Sequence, residues 1–415
     1  MSAVNVPEKW QTLVDVLRCA VHNTAPSQTL LHTDWDTLLT QARKHCVENF
    51  LYPWLARHIP EMFSMHVATP PASPCVAWRS LALDHLKTST LRSSAATDIL
   101  REFAQNNVEV IPLKGIWLSE TLYDEPSQRF MVDIDLLVRR SDVKRAQKLL
   151  NKLGYNSAQI DTDNQFAYDA KFSRAGDSFF IELHWNVESH ISDRLAIPDI
   201  EAIWRDTTPA SLLQHPVQAL SNEALVTQLV QHILHHQFAT PLRSYIDIAL
   251  LLRNRADQLD PEKLAQAAST WKTGRSVLFV LNMISTLFEI PLPTKLMNCQ
   301  FAADADFIQQ AWQCVFNLPE MKSRVRELNL LKYREATLTE RLKLIFKRIF
   351  VPRSYMMLRY PYAKYAVLLP VAWVQRTVTL GIETGCALFK TPAENDALSN
   401  AAIRRDIIVK LLEPH

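Results

Sequence analysis

The sequence predicts an α+β protein in which a small mixed β-sheet core is flanked by large N- and C-terminal helical regions. Glycine is scarce, with only six among 415 residues, whereas average proteins contain about 7%. So few residues free to adopt positive φ favour long helices joined by short connections that contain proline. Strand-like runs are concentrated in one stretch of the chain. We therefore predict four regions: an N-terminal helical region (1–105), a sheet-bearing core (106–206), a helical domain (207–345) and a basic and aromatic C-terminal helical region (346–415).

In the N-terminal region, apolar spacing predicts three helices. The first runs from Trp10 to Val21, and the second begins near residues 33–36, where three polar side chains are suited to an N-cap. A proline-rich break at residues 69–74 then precedes a long helix from Val76 to Asn106.

The core opens with a strand, a turn and a helix. Residues 107–115 predict a strand ending in Gly115, and residues 116–123 follow with helical apolar spacing. A glycine at such a turn lets a ligand approach the backbone, and the free N–H groups of a helix start favour phosphate. Lys114 and Arg129 are nearby cations that could hold phosphate oxygens, Arg129 through its bidentate fork. An ordinary turn and a surface arginine are the alternatives.

Two acids separated by one residue lie inside the apolar segment 131–138, which predicts a second strand. Because strand side chains alternate, Asp133 and Asp135 face the same side. Two carboxylates this close repel and raise one another's pKa unless a cation bridges them. Mg²⁺ typically binds one or two carboxylates together with substrate phosphates. The segment therefore predicts a cation site, with a pair of exposed acids at a strand end as the alternative.

A third strand is predicted within residues 177–186, after a helix that opens at Val143 and that Gly154 terminates. Its Glu182 and His184 share one face. If this strand lies beside the second, Glu182 completes a three-carboxylate cluster able to hold two metal ions. A structural glutamate in a half-exposed strand is the alternative.

Several of these motifs, taken in order, resemble the bacterial uncharacterised nucleotidyltransferase family of the DNA polymerase β superfamily. They are Leu113-Lys-Gly115, Leu122-Tyr123, Arg129, Asp133-Ile-Asp-Leu-Leu-Val138, Leu153-Gly-Tyr155 and Glu182-Leu-His-Trp185. The resemblance extends upstream to residues 34–45 and downstream to His232, His236 and residues 242–251, covering residues 30 to about 255. It implies a nucleotidyltransferase core that transfers a nucleoside monophosphate, AMP from ATP in the first instance, to a small-molecule, sugar, peptide or protein acceptor.

The resemblance also implies roles for single residues. The catalytic acids and ligands of Mg²⁺ or Mn²⁺ would be Asp133, Asp135 and Glu182. The residues that bind the nucleoside triphosphate would be Lys114, Gly115, Arg129, His184 and Arg243. Many superfamily members have Gly-Ser where this chain has Lys114-Gly115, and their third acid is often Asp, so Glu182 could act as a base instead of a ligand. A catalytically inactive nucleotide-binding or regulatory protein is the alternative, and retention of all three acids favours the enzyme.

Composition bears on the class of acceptor and on the cellular compartment. The net charge of +2, from 45 basic and 43 acidic residues, disfavours a nucleic-acid acceptor. Six scattered cysteines indicate free thiols in a reducing compartment, and the N-terminus lacks an apolar signal segment, so we expect a cytoplasmic protein. The sequence contains no Walker A loop, dinucleotide-binding glycine motif, nucleophile elbow or Cys-x-x-Cys pair.

Three features of the C-terminal half have competing interpretations. His232, His235 and His236 have helical spacing that could bind a transition metal, although a structural or substrate-side role is favoured. Arg243 could pair with Asp247 on one helix or contact the nucleotide. Basic and aromatic residues interleave over 347–365, before an apolar but interrupted run. Helices packed on the protein are favoured there over peripheral membrane contact.

Overall fold

The computed structural model confirms the α+β fold class, with small sheets among many helices. It describes residues 4–27, 30, 33–60, 74–157, 160, 167–187, 197–297, 305–318, 337, 339, 346, 349–351, 353–388 and 393–412. Most of the proline-rich break at residues 69–74 lies outside the described residues, as do Lys347, Arg348 and Pro352 of the basic and aromatic segment.

The N-terminal region contains the three predicted helices and a fourth that was not predicted separately. The four are α1 (Glu8–His22), α2 (Trp35–Lys44), α3 (Glu48–His58) and α4 (Pro74–Gln105), of which α3 is the one not predicted. Helix α2 begins where the capping chemistry indicated, because the Asp34 carboxylate accepts hydrogen bonds from the backbone N–H groups of Asp36 and Thr37.

The core holds a four-stranded sheet with two helices. The strands are β1 (Val110–Pro112), β2 (Asp133–Val138), β3 (Asp169–Phe172) and β4 (Phe180–His184), and the helices are α5 (Lys114–Thr121) and α6 (Val143–Lys152). The strand order is β1-β2-β4-β3. Strands β2 and β4 are parallel, and both outer pairs are antiparallel. The central pairing places Asp135 directly opposite Glu182.

One face of this sheet is apolar, which determines where the acids lie. Ile134, Leu136, Ile181 and Leu183 are at most 1% exposed and pack in a core that also contains Phe103 of α4. Since side chains alternate along a strand, Asp133, Asp135, Glu182 and His184 are all directed to the opposite face.

Two strand features were absent from the sequence prediction. The edge strand β3 was not expected, and a β-hairpin formed by β5 (Thr207–Leu212) and β6 (His215–Leu220) begins the region assigned as helical. The hairpin turn places Leu213 and Gln214 at φ of 49° and 66°. Hairpin turns of the primed types normally contain Gly, Asn or Asp at these positions. Because this turn contains none of the three, its signal is missing from the sequence.

The helical domain packs directly on the N-terminal helices. After α7 (Ile200–Arg205) it contains α8 (Asn222–His235), α9 (Leu242–Arg255), α10 (Pro261–Thr270), α11 (Ser276–Phe288), α12 (Thr294–Met297) and α13 (Ala305–Phe316). Trp10 of α1 stacks on Phe316 of α13, with ring centroids 6.2 Å apart. A single hydrophobic core therefore joins the two predicted regions, while the domain boundaries themselves stay a prediction.

The C-terminal region contributes α14 (Arg353–Arg359), α15 (Leu369–Leu388) and α16 (Ala393–Leu412). Helix α16 inserts Ile407, Ile408 and Leu411 into the main core. Met356, Ala363 and Ala372 form a small separate cluster. Within the described ranges, none of the helices combines the length and the apolar character needed to cross a membrane.

His45, which follows α2, joins the N-terminal region to the start of α9. Its Nδ1 accepts a hydrogen bond of 3.3 Å from the backbone N–H of Leu242, and its carbonyl accepts one of 3.3 Å from that of Arg243. The side chain is fully buried, and burial lowers the pKa of His45 to about 3. His45 therefore acts as a neutral cap for a helix that has no side-chain cap of its own.

We expect His45 to make stability fall in acid. The folded pKa of about 3 lies below the unfolded value of about 6.5. Between these values the unfolded chain binds a proton that the folded chain does not, so the free energy of unfolding decreases as pH falls below about 6.5, by up to ~1.4 kcal/mol per pH unit. The variant His45→Asn keeps an acceptor without titrating. Between pH 7 and pH 5, the free energy of unfolding of this variant should fall by about 2 kcal/mol less than that of the wild type. Urea unfolding at the two pH values measures this difference.

The control is His215→Asn, which replaces a partly exposed histidine in the hairpin. Its pH dependence should run parallel to that of the wild type. If the His45→Asn curve also ran parallel to it, the neutral cap would not be the source of the acid sensitivity.

Candidate active site

The polar face of the sheet brings three ionisable side chains into contact. Nε2 of His184 lies 3.1 Å from Oδ1 of Asp135 and 3.6 Å from Oε2 of Glu182. One ligand atom from each of the three residues lies within 4.8 Å of the others. Asp133 lies on the same face and is half-buried, but it is outside this group. Asp135 and Glu182 thus share this face with His184, and Nζ of Lys171 lies 3.3 Å from the other oxygen of Glu182.

The charges on this face are unequally compensated. Burial, followed by repulsion from Asp135, raises the pKa of Asp133 to about 6. Burial also disfavours the charge of Asp135, but the Lys114 ammonium and the hydrogen bond from His184 hold the pKa of Asp135 below its usual range. Burial would lower the pKa of His184, yet its hydrogen bonds to Asp135 and Glu182 raise it to about 9. Asp135 is therefore the more stabilised anion, whereas Lys114 and Arg243 only partly offset the burial and repulsion that act on Asp133.

A small cleft of about 60 Å³ opens beside Asp133 and Asp135. Helix α5, the segment before β2 and helix α9 supply its cations, and α8 supplies a histidine. These residues are Lys114, Arg129, Arg243 and His232. The lining thus combines three cations and a histidine with three acids, Asp133, Asp135 and Asp247, and such a mixed surface suits an anionic ligand that carries a metal ion.

The start of α5 differs from the predicted glycine turn. Helix α5 already begins at Lys114, and the positive φ, 33°, belongs to Lys114 and not to Gly115. A Cβ on Gly115 would lie 3.2 Å from Nη1 of Arg129 and 3.3 Å from Sδ of Met131. Gly115 therefore serves close packing of the helix start on Arg129, and the expectation that it forms the turn is wrong.

The fork of Arg129 is engaged by an acid from the helical domain. Its Nε donates to Oδ1 of Asp247 at 2.9 Å, and its Nη2 donates to Oδ2 at 2.7 Å. Tyr123 donates a third hydrogen bond to Asp247, at 2.7 Å. Burial would lower the pKa of Arg129, but Asp247 raises it above the usual range. Two of the five N–H groups of Arg129 thus bind Asp247, and nucleotide contact by the remaining N–H groups of Nη1 and Nη2 stays a prediction.

Asp247 is the residue whose importance the sequence reasoning missed. The expected pairing of Arg243 with Asp247 is wrong, because Asp247 binds Arg129 and Arg243 instead donates to the Phe130 carbonyl at 2.5 Å. Asp247 is 1% exposed within a helix that is buried almost throughout. A buried acid requires a partner, because an unpaired charge in an apolar environment is costly. An acid within an apolar helical segment was therefore the signal in the sequence that could have identified Asp247.

Two arginines hold the backbone that leads into β2. Besides Arg243, which binds the Phe130 carbonyl, Arg92 of α4 donates to the Met131 carbonyl at 2.6 Å. Burial, followed by the neighbouring Arg129, lowers the pKa of Arg92 to about 10. The approach to the acids is thus fixed from both the N-terminal region and the helical domain. Nucleotide contact by Arg243 stays a prediction.

The histidines of α8 pack mainly on one another. The His232 and His236 rings meet edge to face at 4.6 Å. Burial, with Lys114 next, lowers the pKa of His232 well below its usual value. In the described part of the chain, the one group of three or more His, Cys, Asp or Glu side chains placed to share a metal ion is Asp135, Glu182 and His184.

Comparison with known proteins gives a family match that covers most of the N-terminal region, the whole core and the first part of the helical domain. A family model described as uncharacterised nucleotidyltransferase matches residues 32–289, and no curated protein gives a significant match. A solution structure of the antibiotic-resistance factor ANT(2'')-Ia is 14% identical, covering 44% of this chain and 92% of its own, with a TM-score of 0.33. A crystal structure of ANT(2'')-Ia in complex with adenylyl-2''-tobramycin is also 14% identical, covering 44% and 97%, with a TM-score of 0.32.

We expect Asp247→Asn to be severely destabilising. It leaves the Arg129 guanidinium, which is 5% exposed, as a buried charge without its partner, at a cost of about 3–5 kcal/mol. Tyr123→Phe removes one hydrogen bond from the same carboxylate and should cost about 1–2 kcal/mol. Urea unfolding measures both.

Asp257→Asn is the matched control, because it removes an exposed carboxylate just after α9. It should change the free energy of unfolding by less than about 0.5 kcal/mol. An Asp247→Asn variant as stable as this control would show that the ion pair does not hold the cleft together.

Proposed function

The chain belongs to the uncharacterised nucleotidyltransferase family, and we propose that it transfers a nucleoside monophosphate, AMP from ATP in the first instance, to an acceptor. The acceptor class we propose is a small molecule, sugar, peptide or protein. The observation that carries the proposal is the position of two paired carboxylates, Asp135 and Glu182, on the face that adjoins a cation-lined cleft. Transfer of a charged phosphoryl group depends mainly on charge neutralisation and alignment, which such a face can supply.

The acid side chains fit a divalent metal ion. Carboxylate oxygens are hard ligands of the kind that Mg²⁺ and Mn²⁺ bind. Burial and repulsion from Asp135 raise the pKa of Asp133 to about 6, and a cation bound between the two carboxylates would offset that repulsion. We propose that Asp133, Asp135 and Glu182 hold the metal. Bound there, it would lower the pKa of the acceptor hydroxyl and neutralise charge on the phosphates.

The cations of the cleft would hold the triphosphate. Lys114 is 25% exposed and lies 3.7 Å from Asp135, so its ammonium is near both the acids and the opening. Nη1 of Arg129 lies beside Gly115 at the start of α5, and the first backbone N–H groups of a helix favour phosphate. Arg243 of α9 adds a third positive charge to the lining. Together these groups would fix the α-phosphate against the acids and align the leaving pyrophosphate.

The setting we propose for the reaction is the cytoplasm. Cys19, Cys46 and Cys314 are free thiols in the described part of the chain, in line with a reducing compartment. Cys299 and the side chains of Cys75 and Cys386 lie outside the described residues. The near-neutral net charge supports an acceptor other than nucleic acid.

The test is transfer of label from α-³²P nucleoside triphosphates. The purified chain is incubated with each nucleotide and Mg²⁺ or Mn²⁺ in a bacterial cell extract, and label is followed into small molecules and proteins. Asp133→Asn and Asp135→Asn should each reduce metal-dependent transfer by at least about a hundredfold, because several kcal/mol of charge stabilisation depends on the metal they hold. Asp257→Asn should leave transfer unchanged.

Transfer that survived the double replacement of Asp133 and Asp135 would refute the site. A wild-type chain that bound ATP with Mg²⁺ but transferred no label to any acceptor would instead support the inactive nucleotide-binding alternative.

A further inference from the structure

The two oxygens of Asp135 face different surroundings. Oδ1 lies 3.1 Å from Nε2 of His184, whereas Oδ2 lies 3.7 Å from Nζ of Lys114. Asp135 lines the cleft together with Asp133, but neither Glu182 nor His184 is among the residues of its wall. Asp135 is therefore shared by two sites: the cleft, and the cluster formed by Asp135, Glu182 and His184.

The spacing within this cluster is that of ligands to one ion. For metal–ligand bonds of about 2.1 Å, adjacent ligands in octahedral or tetrahedral geometry lie about 3.0–3.4 Å apart. Nε2 of His184 lies 3.1 Å from the Asp135 oxygen and 3.6 Å from the Glu182 oxygen. The first distance lies within this range, and the second would have to shorten by a few tenths of an ångström for all three atoms to bind one ion.

The ring of His184 is oriented with Nε2 towards the two carboxylates. The residue is only 6% exposed, and the register of β4 against β2 fixes it two residues beyond Glu182 on the same face. The ring of Tyr168 lies beside it, with centroids 6.2 Å apart. Because Nε2 contacts both carboxylates, the buried Nδ1 lies on the other side of the ring, where it has no hydrogen-bond partner among the described residues. Nε2 is thus the nitrogen available to a cation.

We propose that Nε2 of His184 is a metal ligand, completing with Asp135 Oδ1 and Glu182 a mixed nitrogen and oxygen site separate from the cleft. This deepens the metal dependence proposed above and rests on it. The metal carried by the nucleotide would lie in the cleft, against Asp133 and Oδ2 of Asp135. The cluster would hold a second cation that does not need the nucleotide.

The nitrogen donor sets the class of cation. Mg²⁺ prefers an all-oxygen octahedron and keeps several waters, whereas imidazole is a good ligand for first-row transition ions. Of the two ions considered for this family, the cluster should therefore favour Mn²⁺. A neutral oxygen donor in place of His184 should reduce that preference.

The test uses Mn²⁺ as the probe and the full chain without nucleotide. Continuous-wave electron paramagnetic resonance gives the Mn²⁺ dissociation constant, and pulsed measurements detect coupling of the bound ion to a directly bonded ¹⁴N nucleus. The wild type should bind Mn²⁺ with ¹⁴N coupling, and His184→Asn should bind it without that coupling. In the variant, the preference for Mn²⁺ over Mg²⁺, measured by competition, should fall by about tenfold.

His232→Asn is the matched control, because His232 is an imidazole in the adjoining cleft and its replacement should leave the ¹⁴N coupling intact. Coupling lost in His232→Asn but kept in His184→Asn would overturn the assignment. Mn²⁺ that binds the wild type and depends on Asp135, but shows no ¹⁴N coupling, would refute the role of His184 while leaving the proposed carboxylate site standing. Because that measurement is made on the wild type, it does not depend on whether a His184 variant folds. A wild type that binds no Mn²⁺, with or without ATP, would refute the metal site of the proposed function itself.

Discussion

The parallel pairing of β2 with β4 is the constraint on which the site depends. It places Asp135 opposite Glu182 and leaves His184 two positions further along the same face. Because side chains alternate with a period of two, a slip of one residue would send Glu182 into the apolar core. The register is held from the other side of the sheet, where Ile134, Leu136, Ile181 and Leu183 are buried. The apolar face thus determines the geometry of the charged one.

Two of the buried charges at the site are tolerable because a neighbour from another part of the chain compensates each of them. Lys114 at the start of α5 compensates Asp135, and Asp247 of α9 compensates Arg129. A buried charge that loses its partner is far more costly than an exposed one. The sheet alone therefore could not hold this arrangement of charges, and the helical domain is part of the site through Asp247.

Features that depend on a few neighbouring residues could be predicted from the sequence. The Asp34 cap, the helix ended by Gly154 and the shared face of Asp133 and Asp135 all follow from local rules. The partner of Arg129 could not be predicted this way, because Asp247 lies 118 residues away and only tertiary packing brings them together. The hairpin turn at Leu213 could not be predicted for another reason. Its residues adopt positive φ, but none of them is a residue type that favours it.

The two acids of the Asp-Ile-Asp motif look equivalent in the sequence but differ in their surroundings. Asp135 is buried between an ammonium and an imidazole, and its pKa is held below the usual range. Asp133 is half-buried beside Asp135, and its pKa is raised to about 6. A cation entering the cleft would therefore relieve the repulsion that raises the pKa of Asp133, whereas Asp135 already has Lys114 and His184 beside it. Asp135 instead keeps a stable negative charge between the cleft and the cluster with Glu182 and His184. A charge held in this way can serve both sites.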